Sequence, residues 1–278
     1  MISSSKTKIC LVIGDPIEHS LSPLMHNAGY RALGIDDQFV FLAARVKLKD
    51  VKYAVKAVKV MGFRGLTCTM PHKLEVLKYL DKIDKTAREI GAVNTVVNDD
   101  GILKGYNTDW LGALKPLAKI TKIKGKKIGI IGAGGAARAT IYGLKKKRGS
   151  IKIFNKNIRQ AKWLAKKFNC EFGGFDELNE LKHFDIIINA TPLGMKPYEN
   201  ISPVPKEIFS RNQIVMDAVY IPYKTKILRE AEKMGAKTIP GIEMFLEQGA
   251  AQFFYYTKRK APIVAMRKAL LDYLKSII

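Results

Sequence analysis

Cysteine is scarce. Cys10, Cys68 and Cys170 are the only three in 278 residues, and no spacing pairs them. That excludes a disulfide-stapled secreted scaffold and points to a reducing compartment, so a cytoplasmic location is expected. Long apolar runs are missing too. None approaches the roughly 18 residues that a membrane-crossing helix needs. The apolar part of "MISSSKTKICLVIG" is too short for a secretory leader and is expected to form a first strand. The four histidines, His19, His26, His72 and His183, have no metal-ligand spacing, and no metal is expected. Neither repeats nor low-complexity linkers interrupt the chain.

Acidic residues are also few. Against 25 Asp+Glu stand 48 Lys+Arg, for a formal charge of +23 and a pI near 9.8. Such a balance raises the case for anionic partners: nucleic acid, membrane or metabolite. The lysines, however, are spread over helical stretches such as "KLKDVKYAVKAVKV" (47–60) and "LKKKRG" (144–149). They lack the interleaved aromatics that stack bases. They read as a solvated surface, and neither nucleic acid nor membrane is an expected partner. Against this background any single lysine carries little weight by itself.

What is present is a regular alternation. Hydrophobic residues make up 47% of the chain, enough for real cores, and the length suits one large or two ordinary domains. "KICLVIG" (8–14) reads as a strand, and "SPLMHNAGYRAL" (22–33) as a helix with Ser22 as N-cap and Pro23 in its first turn. "QFVFLAA" (38–44) is a strand. Residues 48–61 are a helix with Leu48, Val51, Val55 and Val58 on one stripe. "FRGLTCT" (63–69) is a strand, and Pro71 is expected to open the next helix. Residues 92–107 read as a hairpin around Asp100-Gly101, and a helix spans about 109–119. Further strands are expected at 126–131, 150–157, 184–191 and 213–219, with helices between them and closing helices at 243–257 and 262–277. Strand–helix alternation implies parallel sheets with right-handed crossovers. The expected architecture is α/β with two domains. Residues 1–107, completed by 242–278, are expected to form one domain, and 108–241 a Rossmann-like doubly wound domain.

Gly132-Ala133-Gly134-Gly135-Ala136-Ala137 fits the dinucleotide turn, and it follows a strand and opens a helix, the context that gives the pattern meaning. Gly132 permits the tight turn, Gly134 lets backbone N–H groups approach a pyrophosphate, and Ala137 allows close helix–strand packing. The helix N-terminus then faces phosphate charge. An NAD site places a carboxylate about 20 residues on, at the end of the next strand. Here that strand ends in Asn155-Lys156-Asn157, followed by Arg159 and Gln160. Basic groups in place of the carboxylate suit a ribose 2′-phosphate, so NADP is expected over NAD.

The first half carries polar residues at expected strand ends. "GDPIEHSLSP" offers Ser20 and Ser22, "TMPHK" offers Thr69 and Lys73, "GAVNT" offers Asn94, and "GYNTDW" offers Asn107, Thr108 and Asp109. The later segments "DAVYIP" and "GIEMFLEQGA" add Tyr220 and Gln248. Together with "GAGGAAR" and "NATPLGM", these motifs resemble the shikimate dehydrogenase family, in family order from residue 14 to about 250. The resemblance implies reversible reduction of 3-dehydroshikimate to shikimate with NADPH, on the route to chorismate and aromatic amino acids, in a cleft between two domains. It implies that Ser20 and Ser22 bind the substrate carboxylate and that Tyr220 lies near it. Thr69, Asn94 and Gln248 would contact the ring oxygens, and Lys73 and Asp109 would be the catalytic pair. Gly132, Ala133, Gly134, Gly135 and Ala136 would contact the cofactor, with Asn155, Lys156, Asn157, Arg159, Gln160, Thr191, Ala218 and Gly241.

The chemistry agrees with those roles. Hydride addition to a ketone builds negative charge on its oxygen, so a positioned proton donor accelerates it. An amine is a suitable donor because its proton affinity responds to burial and neighbouring charge. Two departures stand out. The family usually has Asn-Val-Thr where this chain has Thr67-Cys68-Thr69, and Asn-Arg-Thr where it has Asn155-Lys156-Asn157. Lysine keeps the charge but lacks the guanidinium fork, which weakens the preference for NADP. The nearest alternative is a quinate/shikimate dehydrogenase with relaxed substrate or NAD use. A methylene-folate dehydrogenase is disfavoured by the Ser-x-Ser and Gln248 motifs. Oligomeric state is open at this point, with a homodimer one of the options.

Overall fold

The branched apolar residues of "KICLVIG" form β1 (Lys8–Gly14). In the computed structural model, which describes residues 4–277, β1 lies inside a six-stranded sheet. The chain continues through α1 (Ser22–Ala32) to β2 (Phe39–Arg45), which runs parallel to β1 with Phe39 opposite Lys8. Next come α2 (Val51–Val60) and β3 (Gly65–Cys68), parallel to β1 on its other side. After β4 (Lys82–Ile83) and α3 (Lys85–Ile90), β5 (Thr95–Asp99) and β6 (Ile102–Tyr106) form the expected hairpin. Its turn uses Asp100 and Gly101 at φ 52° and 84°, the left-handed pair that matches strand twist. The sheet order is β2-β1-β3-β5-β6-β4. Because β5 runs antiparallel to both β3 and β6, this sheet is mixed rather than parallel throughout.

The second half is α4 (Asp109–Ile120), β7 (Lys127–Ile131), α5 (Gly135–Lys146), β8 (Ser150–Phe154), α6 (Ile158–Phe168) and β9 (Glu171–Gly173). There follow β10 (Ile186–Asn189), β11 (Ile214–Asp217), α7 (Lys226–Lys233), β12 (Lys237–Ile239), α8 (Gly241–Thr257) and α9 (Ile263–Ser276). The six strands pair in parallel in the order β12-β11-β10-β7-β8-β9, the doubly wound dinucleotide-binding order. Its strand order reverses between β7 and β10, where such sheets bind ligands at the carboxyl edge. The chain divides into two compact units. One comprises the residues through Thr108 and from Gln248 onward, the other Asp109–Glu247, so the division falls within α8.

Each unit has its own core. In the second, Ile128, Ile130, Ile153, Ile186 and Ile188 from the strands pack with Leu144 and Leu164 from the helices. In the first, Ile13, Leu66 and Cys68 meet Val51, Val55 and Val58 of α2. A second buried cluster in that unit is aromatic: Tyr30, Phe41, Phe253 and Tyr256. The exposed edge of β2 is blunted by Asn27, whose side chain accepts from the Phe41 N–H at 2.9 Å and donates to its carbonyl at 2.8 Å.

In the second unit only a 3₁₀ turn, Lys206–Ile208, stands where a helix is expected between β10 and β11, and three local expectations fail in the first. Leu48 falls in a separate 3₁₀ turn, Leu48–Asp50, and is exposed, so the buried stripe of α2 begins at Val51. Ser22 is the first helical residue of α1, and Leu21 occupies the cap position without a side-chain bond. The capping acceptor is instead Ser20 Oγ, 3.4 Å from the Ser22 N–H. Pro71 opens no α-helix. A turn over 70–74 is followed by a 3₁₀ helix, Glu75–Tyr79.

Candidate active site

In the first unit the polar residues converge at the carboxyl ends of β1 and β3. Gly14 ends β1, and a Cβ there would lie 2.6 Å from Thr69 Cγ2, so only glycine lets the two strand ends close up. The Thr69 N–H donates to the Ile13 carbonyl at 3.0 Å, and the Thr69 carbonyl accepts from the His72 N–H at 2.8 Å. That turn carries the chain to Lys73, whose carbonyl accepts from the Val93 N–H at 2.8 Å. The "TMPHK" turn is thereby pinned to "GAVNT". Lys73 itself is half-buried. Ser20 and Ser22, half-buried and buried, lead into α1.

Asn94 is the most connected of these groups. Its backbone N–H donates to the Tyr106 carbonyl at 3.1 Å and its carbonyl accepts from the Cys68 N–H at 2.9 Å. Its side-chain Oδ1 accepts from the Thr108 N–H and from the Thr95 hydroxyl, each at 2.8 Å. Its Nδ2 donates to Thr108 Oγ1 at 2.9 Å, and Gln248 Oε1 stands 3.5 Å from both Nδ2 and Thr108 Oγ1. Asn94, Thr108 and Gln248 therefore form one buried polar node. Asn107 is buried beside it and donates to the Ala92 carbonyl at 3.0 Å.

Thr67 has a different task. Its hydroxyl meets the Tyr256 hydroxyl at 2.8 Å. The Tyr256 ring lies across β3 so tightly that a Cβ on Gly65 would overlap it. Burial lifts the Tyr256 phenol well above its ordinary range. Thr67 thus fastens α8 to the sheet. Cys68 points the other way, into the α2 core, where burial pushes its thiol up to about 12. His72 is fully buried, with Nε2 2.7 Å from the Val46 carbonyl, and burial lowers its proton affinity.

In the second unit the phosphate-type turn has the geometry its glycines require. Gly132 sits at φ +110°, and a Cβ would press on the Ala190 carbonyl oxygen at 2.9 Å. Gly134 caps α5, is exposed, and has open space where a Cβ would stand. Ala137 is fully buried against the core. The first turn of α5 thus offers its unpaired N–H groups to an open cradle suited to a pyrophosphate. At the end of β8, Asn157 caps α6 by accepting from the Gln160 N–H at 3.1 Å. Asn155 Nδ2 reaches Gln160 Oε1 at 3.2 Å, and Gln160 Nε2 reaches the Ala133 carbonyl at 3.3 Å. Gln160 is therefore tied to the glycine turn. Lys156 and Arg159 are exposed, and residues 155–160 contain no carboxylate. These residues fit an NADP ribose phosphate.

Asp217 is the strongest electrostatic feature of this edge. It is fully buried at the end of β11. Its Oδ1 accepts from Asn189 Nδ2 and the Val219 N–H, each at 2.9 Å, and its Oδ2 accepts from Thr225 Oγ1 at 2.5 Å. Burial outweighs those bonds and raises the carboxyl to about 7. Asn189 Oδ1 in turn accepts from the Thr191 N–H at 3.1 Å and from its hydroxyl at 2.6 Å. The network therefore holds the turns that carry Thr191 and Ala218. Tyr220 stacks on Phe245 with ring centroids 4.5 Å apart. Gly241 opens α8 against the Val219 carbonyl, where a Cβ would overlap. Asp109 is the buried first residue of α4, and it and Lys73 belong to different units.

Three family models match the chain. The shikimate dehydrogenase substrate binding domain covers residues 12–96, shikimate/quinate 5-dehydrogenase covers 116–196, and the shikimate 5′-dehydrogenase C-terminal domain covers 241–271. The shikimate dehydrogenase (NADP(+)) of Methanocaldococcus jannaschii is 43% identical over 97% of this chain and 98% of its own length. The chain belongs to the shikimate dehydrogenase family. A crystal structure of a shikimate dehydrogenase in complex with NADP+ superposes with a TM-score of 0.93 at 41% identity, covering 98% of each chain. The Thermus thermophilus enzyme, in complex with NADP(H) and shikimate, gives a TM-score of 0.88 at 32% identity over 96% of this chain and 99% of its own.

Thr95, Gln252, Asn189, Thr225 and Asp217 are site residues to which no sequence expectation gives a role. For Asn189 and Asp217 a signal existed: each is a polar residue closing an all-apolar strand, "IIIN" and "IVMD". Gln252 had none, because it lies in the apolar helix "EMFLEQGAAQFFYYT" like any surface glutamine.

Proposed function

We propose that this chain catalyses the reversible, NADP-dependent reduction of 3-dehydroshikimate to shikimate, on the route to chorismate and aromatic amino acids. The observation that carries the reading is the buried Asn94–Thr108–Gln248 node at the strand ends beside Thr69 and Lys73, in a chain of this family. The unit built around β1 would hold the substrate, and the doubly wound unit the cofactor. Ser20, Ser22 and the N-terminus of α1 would bind the carboxylate, since helix N–H groups favour an anion and offset the neutrality of the hydroxyls. Tyr220 would lie near that carboxylate. Thr69, Asn94 and Gln248 would bind the ring oxygens by hydrogen bonds that reject analogues lacking them.

Bound NADPH supplies the hydride. Lys73 would donate the proton to the developing alkoxide, and Asp109 would share the same substrate hydroxyl and orient the ammonium. The Gly132–Ala136 turn would receive the pyrophosphate, and Asn155, Lys156, Asn157, Arg159 and Gln160 the adenosine ribose with its 2′-phosphate. Thr191, Ala218 and Gly241 would line the cofactor. Among the described residues no helix is long and apolar enough to cross a membrane. The three cysteines are unpaired, which fits a cytoplasmic enzyme.

The test is an assay of the purified protein with shikimate and NADP+, followed by NADPH absorbance, with quinate and NAD+ in parallel arms. Preferred turnover of shikimate with NADP+ is expected. Preference for quinate or NAD+ would replace this reading with a relaxed quinate/shikimate dehydrogenase, and no turnover in any arm would overturn it.

A further inference from the structure

We infer that Thr95 and Gln252 are positioning residues that fix which face of the Asn94 carboxamide meets the substrate. The inference rests on the proposed function, because it gives that function's substrate site a directional support.

A carboxamide has two nearly equivalent orientations, and only its partners decide between them. At Asn94 one partner is a backbone N–H, that of Thr108, which can only donate. The atom 2.8 Å from it must therefore be the oxygen. The other group on that oxygen is the Thr95 hydroxyl, which must donate there. Thr95 Oγ1 accepts in turn from Gln252 Nε2 at 3.1 Å. The bonds run one way: Gln252 amide to Thr95 hydroxyl to Asn94 carbonyl, with the Thr108 N–H completing the oxygen's two lone pairs. Each donor polarises the next. What Asn94 turns toward Thr108 Oγ1 and Gln248 Oε1 is its NH2 group. A substrate atom bound by the Asn94 NH2 therefore meets a donor and must be an acceptor, such as a carbonyl or hydroxyl oxygen.

The base of the relay is dry. Thr95, Gln252 and His26 are all fully buried. His26 stacks on Phe41, with ring centroids 4.3 Å apart, and burial drives its proton affinity down to about 3, so it is a neutral ring. Gln252 is near enough to oppose that shift, yet Gln252 Oε1 and both His26 nitrogens fall short of hydrogen-bond geometry. The Gln252 NH2 donates to Thr95 Oγ1 at 3.1 Å and, at 3.5 Å, to the Asn94 carbonyl. Gln252 also stands one helical turn after Gln248 on α8, so the relay ties the two proposed ring contacts, Asn94 and Gln248, to one helix face.

The experiment replaces Thr95 with Val, which keeps the shape and removes the hydroxyl, and with Ser, which keeps the hydroxyl. With NADP+ saturating, Thr95→Val is expected to raise KM for shikimate by about 3- to 10-fold, the cost of a lost or inverted hydrogen bond. KM for NADP+ should stay within about twofold. Thr95→Ser should return the shikimate KM to near wild type. Gln252→Leu should move the shikimate KM in the same direction and carries the same test if the valine variant does not fold. An unchanged shikimate KM in the folded variants, an equal rise in KM for NADP+, or failure of Ser to restore it overturns the inference. Wild-type protein that does not turn over shikimate overturns the proposed function instead, before any variant is compared.

Discussion

Asp217 gives the most quantitative prediction. The folded protein holds this carboxyl at about 7 against an ordinary 3.8, because burial at the end of β11 disfavours its charge more than three hydrogen bonds favour it. A carboxyl that binds its proton more tightly when folded contributes stability fully at low pH, and that contribution disappears as pH rises through the folded value. The gap of about 3 pH units, at roughly 1.4 kcal/mol each, is worth about 4 kcal/mol in all. Between pH 5 and 7 the loss should be about 2 kcal/mol, with a few tenths more by pH 8. The perturbation is Asp217→Asn, which keeps the shape and cannot titrate. Both tryptophans, Trp110 and Trp163, lie in the same unit as Asp217, so denaturant unfolding followed by tryptophan fluorescence reports on the right part of the chain. Wild type and variant are compared at pH 5 and pH 8, and the difference between them cancels every other titrating group. The wild-type advantage should shrink by about 3 kcal/mol from pH 5 to pH 8. A difference constant to within about 0.5 kcal/mol would show that Asp217 is ionised across the range and that hydrogen bonding prevails over burial.

Three further outcomes are expected. Lys73→Ala should lower kcat by at least about 100-fold with little change in the shikimate KM, and near-normal turnover would remove Lys73 from the chemistry. Lys156→Glu restores a carboxylate at the end of β8, so the ratio of KM for NADP+ to KM for NAD+ should rise by at least about 10-fold; an unmoved ratio would discount this loop as the cofactor selector. Tyr256→Phe leaves the buried Thr67 hydroxyl without its partner and should cost about 1–3 kcal/mol in thermal or chemical unfolding followed by circular dichroism. Adding Thr67→Val should recover much of that loss, because two apolar groups of similar shape leave nothing unpaired, and strictly additive losses would argue against the pairing.

Local features were legible in the sequence because local chemistry causes them. The turn at Gly132–Ala137 needs glycine at positive φ and a small residue against the sheet, whatever surrounds it. The Asp100-Gly101 hairpin and the largely apolar central strands of the second sheet follow from neighbours in the chain. Where several nearby options cost about the same, the structure departs from the local expectation. Ser20 rather than Ser22 serves the start of α1, Leu48 stays in solvent, and Pro71 leads into a turn.

By itself, the sequence determined two α/β units, a dinucleotide-type turn and the residues that mark the family, since each depends on short-range pattern. Only the tertiary structure decided that β5 reverses direction in the first sheet, that Thr67 grips Tyr256, and that Gln252 reaches Asn94 through Thr95. It alone brought Asn189, Asp217 and Thr225 into one buried network. These are long-range pairings of polar side chains inside a dry interior. There an unmet hydrogen bond costs most, and the partner that meets it can come from anywhere in the chain.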